Sequence, residues 1–143
     1  MRTSKTLPSW FKTFAIVSLV WNLMGVMAFI TQLLMTPEAL VALPQAEQDL
    51  IANTPLLATI AFAFAVFGGA IGCLALLMKK TIAVAWFTFS LLGIAVQMFH
   101  AFFILNSFVV FGPGGLIMPI MVVVWAIGLL MVARNAKSEH WLN

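Results

Sequence analysis

The chain has 143 residues, of which 64% are hydrophobic and only 8% are charged, with a net charge of +3 and a mean hydropathy of +1.13. Soluble domains carry about 25% charged residues, so this composition excludes an ordinary soluble globule and makes a bilayer the natural solvent. A pI near 9.5 would suggest nucleic acid if read alone. The basic residues are instead placed as topological signals, and no nucleic-acid partner is expected.

Four apolar segments follow in chain order, over residues 13–35, 56–78, 82–105 and 115–133. A span needs about 20 apolar residues to cross roughly 30 Å of hydrocarbon. The expected fold is therefore all-α, a single integral-membrane four-helix bundle occupying the whole chain. "MRTSK" before the first run resembles a signal peptide, with Val26-Met27-Ala28 as a cleavage site. The apolar run continues past Ala28 to Met35, which favours retention as a span.

The first connection, residues 36–55, is too long for a simple hairpin. Thr36-Pro37 reads as a cap and first helical turn, and Pro44 as the start of a second short helix. Leu43, Ala46 and Leu50 share one face of that piece, which is expected to rest on the membrane surface. Lys79-Lys80-Thr81 permits only a tight turn between the second and third helices. "NSFVVFGPGG", from Asn106, is uncharged, and the third helix is expected to extend to the interface before the Gly-Pro-Gly-Gly break.

Charge sets the orientation. Arg2, Lys5, Lys12, Lys79, Lys80, Arg134 and Lys137 all fall on one side, whereas Glu38, Glu47 and Asp49 lie on the other. The positive-inside rule then predicts both termini in the cytoplasm. Trp10, Trp86 and Trp141 lie near that face, as interfacial aromatics do.

Polar and small residues recur at helical spacing. The first helix carries Ser18, Asn22, Gly25 and Gln32; the third carries Ser90, Gly93, Gln97 and His100. The second carries Ala61, Ala65, Gly68, Gly72 and Ala75. A period of 3.5 residues is the seam of a left-handed bundle, and lipid leaves small residues and polar pairs to drive helix contact. Gly25, Ala65, Gly68, Gly72 and Gly93 are thus the expected packing positions. At 1.5 Å per residue, Asn22 and Ser90 lie about 14 and 12 Å deep, and Gln32 and His100 about 28 and 27 Å. Gln97, about 22 Å deep, has no polar counterpart on the first helix. Asn22 is expected to be an interhelical hydrogen-bonding group level with Ser90. The alternative is that Asn22, Ser90 and Gln97 line a polar cavity for a neutral solute; Gln32 and His100 are expected to meet at a second level, with His100 bonded to Gln32 or to a loop carbonyl.

The chemical inventory argues against catalysis. No Asp, Glu, Lys or Arg falls within a span, although ion- and proton-coupled transporters usually depend on such residues. Cys73 is alone, so no disulfide is expected. His100 and His140 lie on opposite sides, so no metal site is expected. "FGGAIG" lies mid-span without strand or lysine context, so packing is favoured over a phosphate loop. No cofactor is expected.

"WNLMGVMAF", "PEALVALPQAEQ" and "FAVFGGAIGCLALLMKK" together resemble a family of small four-helix bacterial inner-membrane proteins whose members commonly carry the label "sugar transporter". The resemblance covers the first two helices and their connection, somewhat over half the chain. It implies a bacterial inner-membrane setting and leaves a neutral-solute role open. Members tend to carry an acid just after the Trp-Asn-x-x-Gly motif, where this chain has Val26-Met27-Ala28-Phe29. Two functions are thus expected as competitors. One is a non-catalytic bundle that acts through helix–helix assembly, as a homo-oligomer or an accessory subunit of a larger membrane complex. The other is a small transporter or facilitator for an uncharged solute such as a sugar.

Overall fold

A computed structural model describes residues 6–143. Helix starts are punctuated by proline, whose missing N–H is harmless in a first turn. Helix α1, Ser9–Leu33, follows Pro8 as its cap. In the connection, α2 is Pro37–Val41 and α3 is Gln45–Ala52. The Thr36 hydroxyl accepts from the Ala39 N–H at 3.2 Å, and Pro44 caps α3. Helix α4, Leu56–Leu77, starts after Pro55. Helix α5 spans Ala83–Phe99 and widens into a π turn at His100–Ile104. A short α6, Ser107–Phe111, and a 3-10 turn, Pro113–Leu116, lead into α7, Ile117–Ser138.

Four of these segments, Ser9–Leu33, Leu56–Leu77, Ala83–Ile104 and Pro113–Ser138, are long and apolar enough to cross a membrane. Two boundaries differ from those expected. The third helix does not run on to the glycine break: it ends at Ile104, and Asn106 turns the chain with φ of 49°. Asparagine tolerates this left-handed conformation better than most residues. The fourth helix continues beyond Ala133 to Ser138, because Arg134, Asn135 and Lys137 lower hydropathy without opposing helix formation.

Helix α4 is the most enclosed, with 56% of its span buried, and packs against α1 on one side and α5 on the other. Helix α7 packs against α5 and returns to α1 near the chain termini. There Phe11 and Ala15 meet Leu129, Ala133 and Ala136 in one core with Cys73, Leu76 and Phe87. Outward faces are apolar, with side chains such as Met27 and Ile120 more than half exposed. A surface of this kind suits lipid and not water.

Both described chain ends lie at one end of the bundle. Lys79 and His140 adopt left-handed conformations at the C-termini of α4 and α7. Each helix is then closed by the next residue reaching back, Lys80 N–H to Ala75 O at 2.8 Å and Trp141 N–H to Ala136 O at 2.9 Å. These are Schellman closures, which satisfy the last helical carbonyls. The tail then lies across the α4–α5 turn: Asn143 N–H donates to Lys79 O at 2.6 Å, and Thr81 N–H donates to Asn143 O at 2.9 Å. Trp141 packs edge-on against Phe11, and Leu142 is buried. Lys12, Lys79, Lys80, Arg134 and Lys137 collect at this basic end; Arg2 and Lys5 lie outside the described residues. The opposite, acidic end carries α2 and α3 with Glu38, Glu47 and Asp49.

Candidate functional site

The small residues seat the helices before any site exists. A Cβ on Gly93 would stand 2.6 Å from Ala61 O and 2.9 Å from the Ala65 nitrogen, so α4 and α5 touch backbone to backbone there. Gly68 faces Ser90 and Trp86, Gly72 faces the Phe87 ring, and Gly25 faces Val66. Ala65 is buried at the same seam. All five expected packing positions are thus engaged within this chain.

Asn22 finds its place through a residue the stripe omits. Its Oδ1 lies where a Cβ of Gly69 would be, so the glycine makes room for the amide. The adjacent pair Gly68-Gly69 serves two neighbours, α5 and α1, because successive helical residues point about 100° apart. The Asn22 Nδ2 group donates to Ser18 O at 2.8 Å and approaches Cys73 Sγ at 3.7 Å. Ser90 is not its partner. The Ser90 hydroxyl donates to Ala65 O at 2.6 Å, binding α5 to α4. Depth arithmetic puts two groups at one level but does not determine their direction around the helix axis.

Ser18 and Trp125 close the bundle. The Trp125 Nε1–H donates to Ser18 Oγ at 3.1 Å, the side-chain hydrogen bond joining α7 to α1. Trp125 also stacks on Phe14 at 5.9 Å between centroids and lies 6.1 Å from Trp21. Above this contact the four helices diverge around a cavity of about 390 Å³. Asn22, Ser90 and Gln97 are its polar lining; the rest is apolar, including Trp21, Phe62, Phe87 and Ile94.

A second cavity, about 480 Å³, opens toward the acidic end. Here the lining is mixed: Gln32, His100, Thr31, Thr54 and Ser107 stand beside Glu47 and Leu50 of α3. Ala28 and Gln97 line both cavities and form the partition between them. Of the five polar positions singled out from sequence, Asn22 and Ser90 thus line the inner cavity, Gln32 and His100 the outer one, and Gln97 both. Helical spacing does not single out Glu47 and Thr54, because it does not show which face of the connection meets the bundle. Helix α3 packs near α6 and turns Glu47 and Leu50 over the cavity mouth, while Ala46, expected on the same face as Leu50, is exposed.

The polar groups divide by their bonding. Ser18, Asn22, Ser90 and Trp125 are tied to protein atoms. Among the described residues, the side chains of Gln97, Gln32 and His100 have no protein hydrogen-bond partner, so the expected bond from His100 to Gln32 or a loop carbonyl is not formed and their donors and acceptors are available to a guest. Also among the described residues, no three His, Cys, Asp or Glu side chains converge as a metal site requires.

Comparison with protein-family models, with curated proteins and with solved structures yields no match.

Proposed function

We propose that this chain is a multi-pass protein of the bacterial inner membrane that takes an uncharged small solute into its bundle. Both termini lie in the cytoplasm, because the basic end carries the Lys and Arg residues that cytoplasmic faces retain. The bacterial setting rests on the resemblance of the first two helices and their connection. The site is open toward the acidic, outer side and sealed at the basic side by the Phe11–Leu76–Phe87–Ala133 core. The role is non-catalytic and suits a small transporter or facilitator.

One observation carries this reading. Among the described residues the Gln97 side-chain amide, with its N–H donors and carbonyl acceptor, has no protein partner, and it lines both cavities at their partition. A polar group on a membrane helix is expected to find a partner or face a polar space. The competing reading, assembly as a homo-oligomer or accessory subunit, rests on the apolar outward faces and not on the small-residue stripe. That stripe is engaged inside the chain, at the α1–α4 and α4–α5 seams.

Native mass spectrometry of protein released from membranes with bound small molecules retained tests the proposal. The wild type is expected to carry a small-molecule adduct, and Gln97→Leu to lose most of it at unchanged subunit count. A bare chain, or one found only with another protein chain, would remove the solute reading and restore assembly.

A further inference from the structure

The chemistry of the two cavities restricts what that solute is. Around the inner cavity, the Ser90 hydroxyl hydrogen is already donated to Ala65 O, and the Asn22 amide nitrogen to Ser18 O. Apart from Gln97, its remaining wall is apolar. A sugar, with hydroxyls on every side, would leave several of them unpaired there, each costing about 1–3 kcal/mol. Polar groups are more numerous around the outer cavity: Thr31 and Thr54 donate their hydroxyls to Met27 O and Leu50 O, whereas Gln32, Glu47 and His100 line it together with Gln97. Among the described residues no charged side chain lines the inner cavity, so an ion would lose hydration there without a counter-charge.

The inner cavity also has a side opening. Met24 and Met118 both line it and are 62% and 60% exposed. Helices α1 and α7, which carry them, meet toward the basic end, through Phe11 and Ala15 against Leu129, Ala133 and Ala136 and through Ser18, Phe14 and Trp21 against Trp125. The surface around the gap is apolar, with Met27, Ile117 and Met121 outward. Two flexible thioether side chains at such a gap yield easily to a passing apolar group. In the membrane setting proposed above, this gap faces acyl chains.

We propose that the occupant is an uncharged amphiphile that enters from the bilayer between Met24 and Met118. Its apolar body fills the inner cavity, and its hydroxyl-bearing head is held by Gln97 and the outer cavity. A volume of about 390 Å³ lies in the range of small-molecule pockets and suits a short aliphatic or aromatic body, not a whole phospholipid. The inference rests on the solute reading and sharpens it from a sugar to a lipid-soluble alcohol.

The test uses the full chain in nanodiscs with a photoreactive decanol carrying a mid-chain diazirine. Cross-linked positions are mapped by peptide mass spectrometry at increasing probe concentration. Binding of radiolabelled methyl glucoside is measured alongside. Saturable labelling is expected at Trp21, Met24, Met118 and Trp125, displaced by unlabelled decanol and unaffected by methyl glucoside. Gln97→Leu removes one head-group hydrogen bond and is expected to raise half-saturation about three- to tenfold. Ala126→Phe, which projects a ring into the cavity, is expected to abolish the labelling; Gln97→Leu carries the test alone if that variant does not fold. Labelling that rises without saturation and scatters to lipid-facing Met27 and Ile120 would overturn the inference. Saturable, Gln97-dependent methyl glucoside binding without saturable alcohol labelling would overturn it too, while leaving the solute reading intact. If neither compound binds saturably, both readings fall.

Discussion

Gly93→Ala is expected to destabilise the bundle by about 2–3 kcal/mol, a large effect for one methyl group. The new Cβ would press on Ala61 O and the Ala65 nitrogen, which are backbone atoms of α4. Backbone has no rotamer to yield, so the helices must separate. That separation also strains the Ser90-to-Ala65 hydrogen bond, a bond of the kind worth about 0.6 kcal/mol in membrane bundles. Gly128→Ala on α7 is the matched control. Nothing lies within 4 Å of its added Cβ, and alanine is intrinsically the better helix former by up to about 1 kcal/mol. Thermal unfolding in nanodiscs separates the two: a clear drop for Gly93→Ala, and no change or a slight rise for Gly128→Ala. Equal effects would mean that the α4–α5 seam is not the close contact described.

The second large effect is expected at Phe87, which is 1% exposed and stands between the inner cavity and the core at the basic end. Phe87→Ala leaves a void where the ring packs on Gly72, and buried Phe truncations cost about 3–5 kcal/mol. The same substitution joins the cavity to the sealed end. Gly72 supplies a coupling test, because a Cβ there would stand 2.6 Å from the Phe87 ring. Gly72→Ala is therefore expected to be harmful in the wild type and near neutral, or favourable, once Phe87 is alanine. A double-mutant cycle with a coupling energy above about 1 kcal/mol agrees with this contact. Simple additivity contradicts it.

The four apolar helices were legible because span length and hydropathy are properties of local sequence. The prolines were equally informative, since Pro37 and Pro44 mark helix starts wherever the helices later pack. Less visible was the end of the third helix. No glycine or proline accompanies the π turn at His100–Ile104, and only the tolerance of Asn106 for positive φ hints at the break. Arg134 and Lys137 made the fourth helix look shorter than it is, because hydropathy measures membrane fit and not helicity. Within the site, periodicity selected Asn22, Ser90, Gln97, Gln32 and His100. It did not determine which of them bond to protein and which face space, since that depends on the rotation of each helix about its axis. Gly69 was hidden beside Gly68 because the stripe follows one face and Asn22 approaches another. Glu47 was missed because nothing local in "PQAEQDL" says that α3 folds back over the bundle.

Thiol accessibility in sealed, oriented vesicles reports to which face the bundle is open. Single cysteines replace Gln97, His100 or Ala133, and a charged, membrane-impermeant thiol reagent is applied to one face at a time. The native Cys73 is fully buried and serves as an internal control. A cavity open at the acidic end and sealed at the basic end predicts that His100→Cys and Gln97→Cys react from the outer face only, and Ala133→Cys from neither. A Gln97→Cys that stays inert from the outer face, or reacts from the cytoplasmic one, would contradict an outward-open solute site.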